Sequence, residues 1–172
     1  MGDARRARGF QHLPEIIKKL HNKNKTFKYI IQFSSISEDL LDTKEKLYKL
    51  SKKNKNIKLI EKYCDYKKFR NILKKIDIMP IIHKSGEINK ITSGTMYSCV
   101  SNQIPIVIPK GVNFMNEILK YKSYETSNNI DDISVKIIKI SKNYNYYLKN
   151  VKLNSDLLKS SLRNDPLRKN IN

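Results

Sequence analysis

The sequence predicts an α/β fold in which an open, mainly parallel β-sheet is flanked by helices. Three observations carry that prediction. Short apolar runs alternate with helix-period patterns from one end of the chain to the other, the order expected of repeated strand and helix units. The run IPIVIP at 104–109 is almost uniformly apolar, as a strand buried on both faces of a sheet must be. No internal repeat and no Gly/Ser- or Pro-rich linker breaks the pattern, so 1–172 is expected to be one domain, with about 145–172 as a C-terminal helical segment and polar tail.

The elements follow in order. Residues 12–21 carry Leu13, Ile16, Ile17 and Leu20 on one helical stripe, and 27–33, FKYIIQF, is a dense β-type run. Ser37 is the expected N-cap of the next helix, because Glu38 and Asp39 follow it as an acidic first turn and Leu40, Leu41, Leu47 and Leu50 form the stripe behind them. A second strand is expected at 57–63 and a short amphipathic helix at 66–76. The third strand is 77–83, DIMPIIH, in which Pro80 points to a bulge or an edge. A loop at 84–92 leads to a helix at 93–103, then to the buried strand at 104–109, and to a helix at 113–120. Residues 121–129 have no clear period. Asp131 and Asp132 open a long helix bearing Ile133, Ile137, Ile138 and Ile140, and a last helical segment covers about 154–162. The opening GDARRARGF reads as a strand-to-helix loop with no strand before it, so the first strand of the expected sheet is missing or reduced to Met1.

The formal charge is +19 and 30% of residues are charged, which by itself raises nucleic acid or an anionic membrane as a partner. The lysines are spread over helices rather than gathered with aromatics into one arm, and Lys, Ile and Asn dominate throughout, as a compositional bias toward A- and T-rich codons would produce. They read as a solvated face, and nucleic acid is not the expected partner. Cys64 and Cys99 have no ligand spacing and are expected to be reduced, buried residues of a cytoplasmic protein. No apolar run approaches the roughly 20 residues of a membrane span, so contact with a membrane is expected to be peripheral at most, at its cytoplasmic face.

Chemistry is expected at the loops. Gly2, Gly9, Arg5, Arg6 and Arg8 lie immediately before a helix; glycines permit close backbone approach, guanidinium groups bind phosphate oxygens in pairs, and a helix N-terminus favours an anion. Thr92, Ser93, Gly94 and Thr95 open a second helix after a strand and a loop, which places hydroxyls and free N–H groups where open α/β sheets bind ligands. Taken alone, the segment is better explained as an ordinary N-cap by Thr92 or Ser93. His83 ends a strand on the same edge and is the candidate for proton transfer or substrate contact. Glu61, Asp65, Asp77 and Glu87 have no spacing that defines an acid/base pair or a metal site.

Three stretches together resemble the C-terminal domain of GT-B-fold glycosyltransferases, in particular family 4, the glycosyl transferases group 1 type. GDARRARGFQHLPEII is similar to the family's G-x-x-R-x-x-K-G-F-x-x-L-x-x-I-I, DIMPIIHKSGEINKITSG to its strand and donor-site loop, and SGTMYSCVSNQIPIVIPKG to its S-G-x-x-x-E-A-x-x-x-G-x-P-V-V-x-P-x-G. The resemblance implies a Rossmann-like sheet. It implies that Gly2, Arg5 and Arg8 hold the diphosphate of a UDP-, GDP- or ADP-sugar, with Arg8 at the family's lysine, and that Thr92, Ser93, Gly94 and Ser98 line the donor pocket. Ser98 stands at the family's ribose-binding glutamate, Lys90 at an acidic position, and Gln103 at the glycine of the turn before the buried strand. The reaction implied is sugar transfer to a glycan or other acceptor, usually with retention and as part of polysaccharide assembly. It implies no metal or other cofactor, since cationic side chains and a helix N-terminus neutralise the leaving diphosphate. Activity would require an N-terminal acceptor-binding half, either on the same polypeptide or as the partner in a split enzyme. The alternative expectation is an inactive remnant or scaffold.

Overall fold

The computed structural model describes residues 3–82, 94–111 and 119–163. Its strands are β1 (Tyr29–Phe33), β2 (Ile57–Glu61), β3 (Met79–Pro80), β4 (Ile106–Pro109) and β5 (Tyr124–Ser127). Its helices are α1 (Leu13–Lys23), α2 (Leu41–Lys53), α3 (Tyr66–Leu73), α4 (Gly94–Ser101), α5 (Ile130–Lys142) and α6 (Tyr144–Arg163). All three strand pairings are parallel: β1 with β2, β3 with β4, and β4 with β5.

The five strands do not form one ladder. They form a two-stranded sheet, β1-β2, and a three-stranded sheet, β3-β4-β5. Helix α1 braces the two. Its Ile17 belongs to the apolar cluster of Phe10, Ile31, Phe33, Leu40 and Leu47 under the first sheet, while Ile16 and Leu20 join Ile82, Val107, Ile133 and Ile137 under the second. Each of these α1 side chains is buried, and full burial of an aliphatic side chain contributes about 1.5–3 kcal/mol, so one amphipathic helix holds both sheets in place. Pro14 sits in its first turn, where a missing N–H costs nothing.

A third cluster packs the other face of β4, where Met96, Cys99 and Val100 of α4 meet Ile106 and Ile108. The strand at 104–109 is buried at every residue from Ile106 to Pro109, as expected. Pro80 lies in β3 as an edge residue. The N–H groups of Met79 and Ile81 reach β4, so strand alternation turns position 80, which has no N–H, toward the side β4 does not occupy.

Several expectations need correction. The stretch 121–129, which has no sequence period, contains β5. Its Glu125 is only 4% exposed and accepts hydrogen bonds from the Tyr147 hydroxyl at 2.5 Å and the Lys139 ammonium at 3.0 Å. A buried carboxylate hides the strand from any apolar pattern. The last helix begins at Tyr144, ten residues before the expected 154, because the buried side chains of its first half are Tyr147 and Val151, too sparse to read as a stripe. Ser37 does not cap α2. It is instead the N-cap residue of a 3-10 turn, Glu38–Leu40, that runs into α2, without a capping side-chain hydrogen bond, and its hydroxyl donates to the Ala4 carbonyl at 3.5 Å. Cys99 is buried and burial pushes its thiol up to about 12, but Cys64 is half-exposed beside the Lys62 carbonyl; both are free thiols. The expected helix at 113–120 lies almost wholly outside the described residues, and Leu119 and Lys120 are not helical.

Among the described residues no helix is long and apolar enough to cross a membrane.

Candidate functional site

The first site element is the loop that leads into α1. Ala4 forms an isolated parallel bridge with Ile36, its N–H donating to the Ser35 carbonyl at 2.8 Å. This is the only trace, among the described residues, of the expected first strand. A 3-10 turn, Arg6–Arg8, follows and closes on Gly9 with φ of 73°. A Cβ at Gly9 would stand 2.2 Å from the Ile82 carbonyl oxygen, so glycine is needed both for the left-handed backbone and for contact with the end of β3. Phe10 then anchors the loop, meeting Phe33 edge-on at 5.3 Å.

The structure sorts the three arginines of this loop. Arg6 turns back to Asp39, pairing with its carboxylate and donating to its backbone carbonyl at 3.1 Å. Arg5 donates to Asp3 at 2.9 Å. The Arg8 side chain is exposed and has no hydrogen bond or ion pair with any described residue. Asp3 is the residue that sequence reading overlooked. Its carboxylate accepts from Ser35 Oγ at 2.8 Å and Ser34 Oγ at 3.0 Å as well as from Arg5. The two serine hydroxyls first, and the Arg5 charge after them, hold its pKa below the usual carboxylate range. The serine pair directly after a strand was the available signal, since short hydroxyls at a strand end gather acceptors. Arg5 is thus half-committed, oriented by the Asp3 carboxylate.

The second element is the first turn of α4. Gly94 is exposed, and a Cβ there would meet no atom within 4 Å; no described neighbour demands glycine at that position. Arg5, Arg8, Gly94 and Thr95 all line one channel of about 1260 Å³ that runs between the facing edges of β1 and β3. The structure therefore brings together two of the expected diphosphate residues and one expected pocket residue. Ser98, one turn further along α4, is half-buried and does not line the channel; its carbonyl accepts from the Asn102 side chain at 2.8 Å. Gly2, His83, Thr92 and Ser93 lie outside the described residues.

Other polar groups at the sheet ends are already paired. Glu61, at the end of β2, is bound by Lys44 and by the Tyr48 hydroxyl, and these contacts lower its pKa, Lys44 contributing most. A smaller cavity of about 610 Å³ lies at the ends of β4 and β5, lined by Arg6, His12, Lys110 and Asn129. Its arginine is committed to Asp39, and the α5 N-terminus beside it is capped by Asn129, whose side chain accepts from the Asp132 N–H at 2.9 Å. Among the described residues no cluster of His, Cys, Asp and Glu is arranged to hold a metal ion.

No protein-family model matches the sequence. No curated protein matches it either. Solved structures do match the fold. The C-terminal domain of the group 1 family glycosyl transferase LpcC from Francisella tularensis aligns over 94% of this chain and 83% of its own, with a TM-score of 0.75 and 14% identity. The N-terminal domain of a trehalose-6-phosphate phosphatase from Candida albicans aligns over 95% of this chain, with a TM-score of 0.62 and 14% identity. OtsA in its apo form aligns over 91%, with a TM-score of 0.58 and 13% identity. This chain spans 38% and 41% of those last two chains. The fold is that of the C-terminal domain of a GT-B glycosyltransferase, as the sequence predicts.

Proposed function

We propose that this fold serves here as the donor-binding half of a glycosyltransferase, taking the diphosphate of a nucleotide-activated sugar at the mouth of the β1–β3 channel. The observation that carries the reading is the convergence of Arg8, Arg5 and the first turn of α4 on one cavity. Arg8 supplies a cation with no side-chain partner among the described residues, and Arg5 a second that Asp3 holds in position. A guanidinium fork matches phosphate oxygens in pairs, and two of them offset the charge that grows on the diphosphate as the sugar bond breaks. That charge balance supports a transfer without a metal. The likeness to the C-terminal domain of a group 1 family glycosyl transferase supports a role in sugar transfer, and retention at the sugar's anomeric carbon is part of the proposal. Ser98, which the resemblance puts at the ribose position, does not line the channel, and a neutral hydroxyl would not match the paired, charge-assisted acceptance of a carboxylate, so weak nucleotide binding is part of the proposal.

Transfer would need an acceptor-binding domain facing the channel, and a glycan of the kind assembled into polysaccharides is the proposed acceptor. Titration calorimetry with UDP-, GDP- and ADP-glucose tests the donor site directly. Binding of one of them, weakened at least tenfold by Arg8→Ala and strengthened by Asp3→Ala, is the expected result. Absence of heat with all of them would remove the donor-site assignment and leave a fold without its ligand.

A further inference from the structure

Helix α6 presents a face that the donor site does not use and the core does not cover. Its inner side is settled by burial: Tyr147, Val151, Asn154 and Ser155 lie in the interior, and Leu158 packs against the cluster around Met96 and Val100. On the opposite side Tyr146 is 55% exposed, Leu153 38% and Leu157 39%. At 3.6 residues per turn these three fall within an arc of about 40°, and at about 1.5 Å per residue they form one apolar stripe roughly 16 Å long. On the other described helices, exposed large apolar side chains come singly or as a pair: Tyr66 on α3, Val135 on α5, and Leu41 with Tyr48 on α2.

The flanks of the stripe are cationic. Lys149 and Lys152 are exposed and pair with no carboxylate among the described residues. Lys159 shares the one acidic residue of the helix, Asp156, at 3.8 Å. Asn150 donates to the Lys122 carbonyl at 2.9 Å, and Asn154 bonds the N–H and the carbonyl of Tyr121. These bonds bring the exposed Lys120 and Tyr121 beside the stripe. The stripe is the outer ridge of a helix, not a cleft shaped for a partner chain. A second copy on it would set these lysines against their own kind, on a chain of net charge +19. A surface that yields to the ridge, takes apolar side chains to shallow depth and carries negative charge matches the arrangement.

We propose that this face of α6 docks on an anionic lipid bilayer, with Tyr146, Leu153 and Leu157 entering the interfacial layer and Lys149, Lys152 and Lys120 over the headgroup charges. The helix lies along the surface, as an interfacial helix does, since it is not apolar enough to cross. Nothing in this assignment depends on donor binding.

The chain has no tryptophan, so Leu157→Trp places a single reporter on the stripe. The full-length variant is titrated with vesicles of phosphatidylcholine alone and of equal parts phosphatidylcholine and phosphatidylglycerol. The expected result is a saturable blue shift with the anionic vesicles only, weakened by salt, and no shift for Leu41→Trp on α2. In vesicle flotation, Leu153→Asp combined with Leu157→Asp should weaken binding at least tenfold, and Leu41→Asp should leave it unchanged. Should the double variant lose its circular dichroism, Lys149→Glu with Lys152→Glu must give the same loss for the proposal to stand. Equal binding to both vesicles, no binding to either, or binding that neither pair of substitutions weakens would overturn it. So would a dimer in sedimentation that Leu153→Asp dissolves, which would identify a second copy as the occupant of this face.

Discussion

Gln103 offers the sharpest quantitative test of the structure. It follows α4 with φ of 59°, a left-handed conformation among non-glycine residues. The hydrogen bonds around it explain why. The Gln103 N–H donates to the Val100 carbonyl at 3.0 Å and the Ile104 N–H to the Cys99 carbonyl at 2.9 Å, the pair that closes a helix in a Schellman motif, with position 103 at the residue that glycine normally fills. Ile104 and Cys99 are both buried in the same cluster, as that motif favours. An L-residue with a Cβ in this conformation costs about 1–2 kcal/mol, and glycine returns about 0.5–1 kcal/mol of that as extra freedom of the unfolded chain. Gln103→Gly should therefore stabilise the protein by about 0.5–1 kcal/mol, a Tm rise of roughly 1–4 °C at this chain length. Gln103→Asn should lie between the two, and Gln103→Val, β-branched at positive φ, should fall below the parent. Urea and thermal unfolding of the four proteins give the ranking. A glycine variant less stable than the parent, or a valine variant equal to it, would refute the left-handed assignment.

Other substitutions test the placement of the site loop and the hidden strand. Gly9→Ala must move either the Ile82 backbone or the loop, besides straining a φ of 73°; a loss of at least about 3 kcal/mol in urea unfolding is expected, and a neutral result would mean that the loop does not rest on β3. Asn154 is fully buried and bonds the Tyr121 N–H, the Tyr121 carbonyl and the Ser123 hydroxyl, so Asn154→Ala should cost about 3 kcal/mol, at about 1 kcal/mol per lost bond. Burial alone would raise the Glu125 pKa, but Tyr147 and Lys139 bring it below the ordinary 4.5. A depressed carboxylate contributes stability that is complete above its unfolded pKa and disappears as pH falls through the folded one. Stability should thus decline below about pH 4.5, and in Tyr147→Phe, where the folded pKa is less depressed, the decline should be smaller and should end at higher pH. Identical pH profiles for the two proteins would show that the hydroxyl does not stabilise the carboxylate.

What the sequence determined by itself was whatever depends on neighbours along the chain. The stripe of Leu13, Ile16, Ile17 and Leu20 specifies α1, and the unbroken IPIVIP run specifies a strand with no solvent face. Spacing alone placed Gly9 and the arginines before a helix. Tertiary structure decided the matters that depend on distant partners. Strand β5 exists because Tyr147 and Lys139, 22 and 14 residues further on, satisfy a carboxylate that would otherwise forbid burial. The identical side chains of Arg5, Arg6 and Arg8 are distinguished only when folding brings Asp39 to Arg6 and the Ser34–Ser35 pair to Asp3, leaving the Arg8 side chain without a partner among the described residues. The division of the sheet into two, with α1 spanning the gap, is likewise invisible to periodicity. A strand's own sequence records which face it buries, whereas the partner on each edge is chosen by backbone hydrogen bonds that every residue type offers alike.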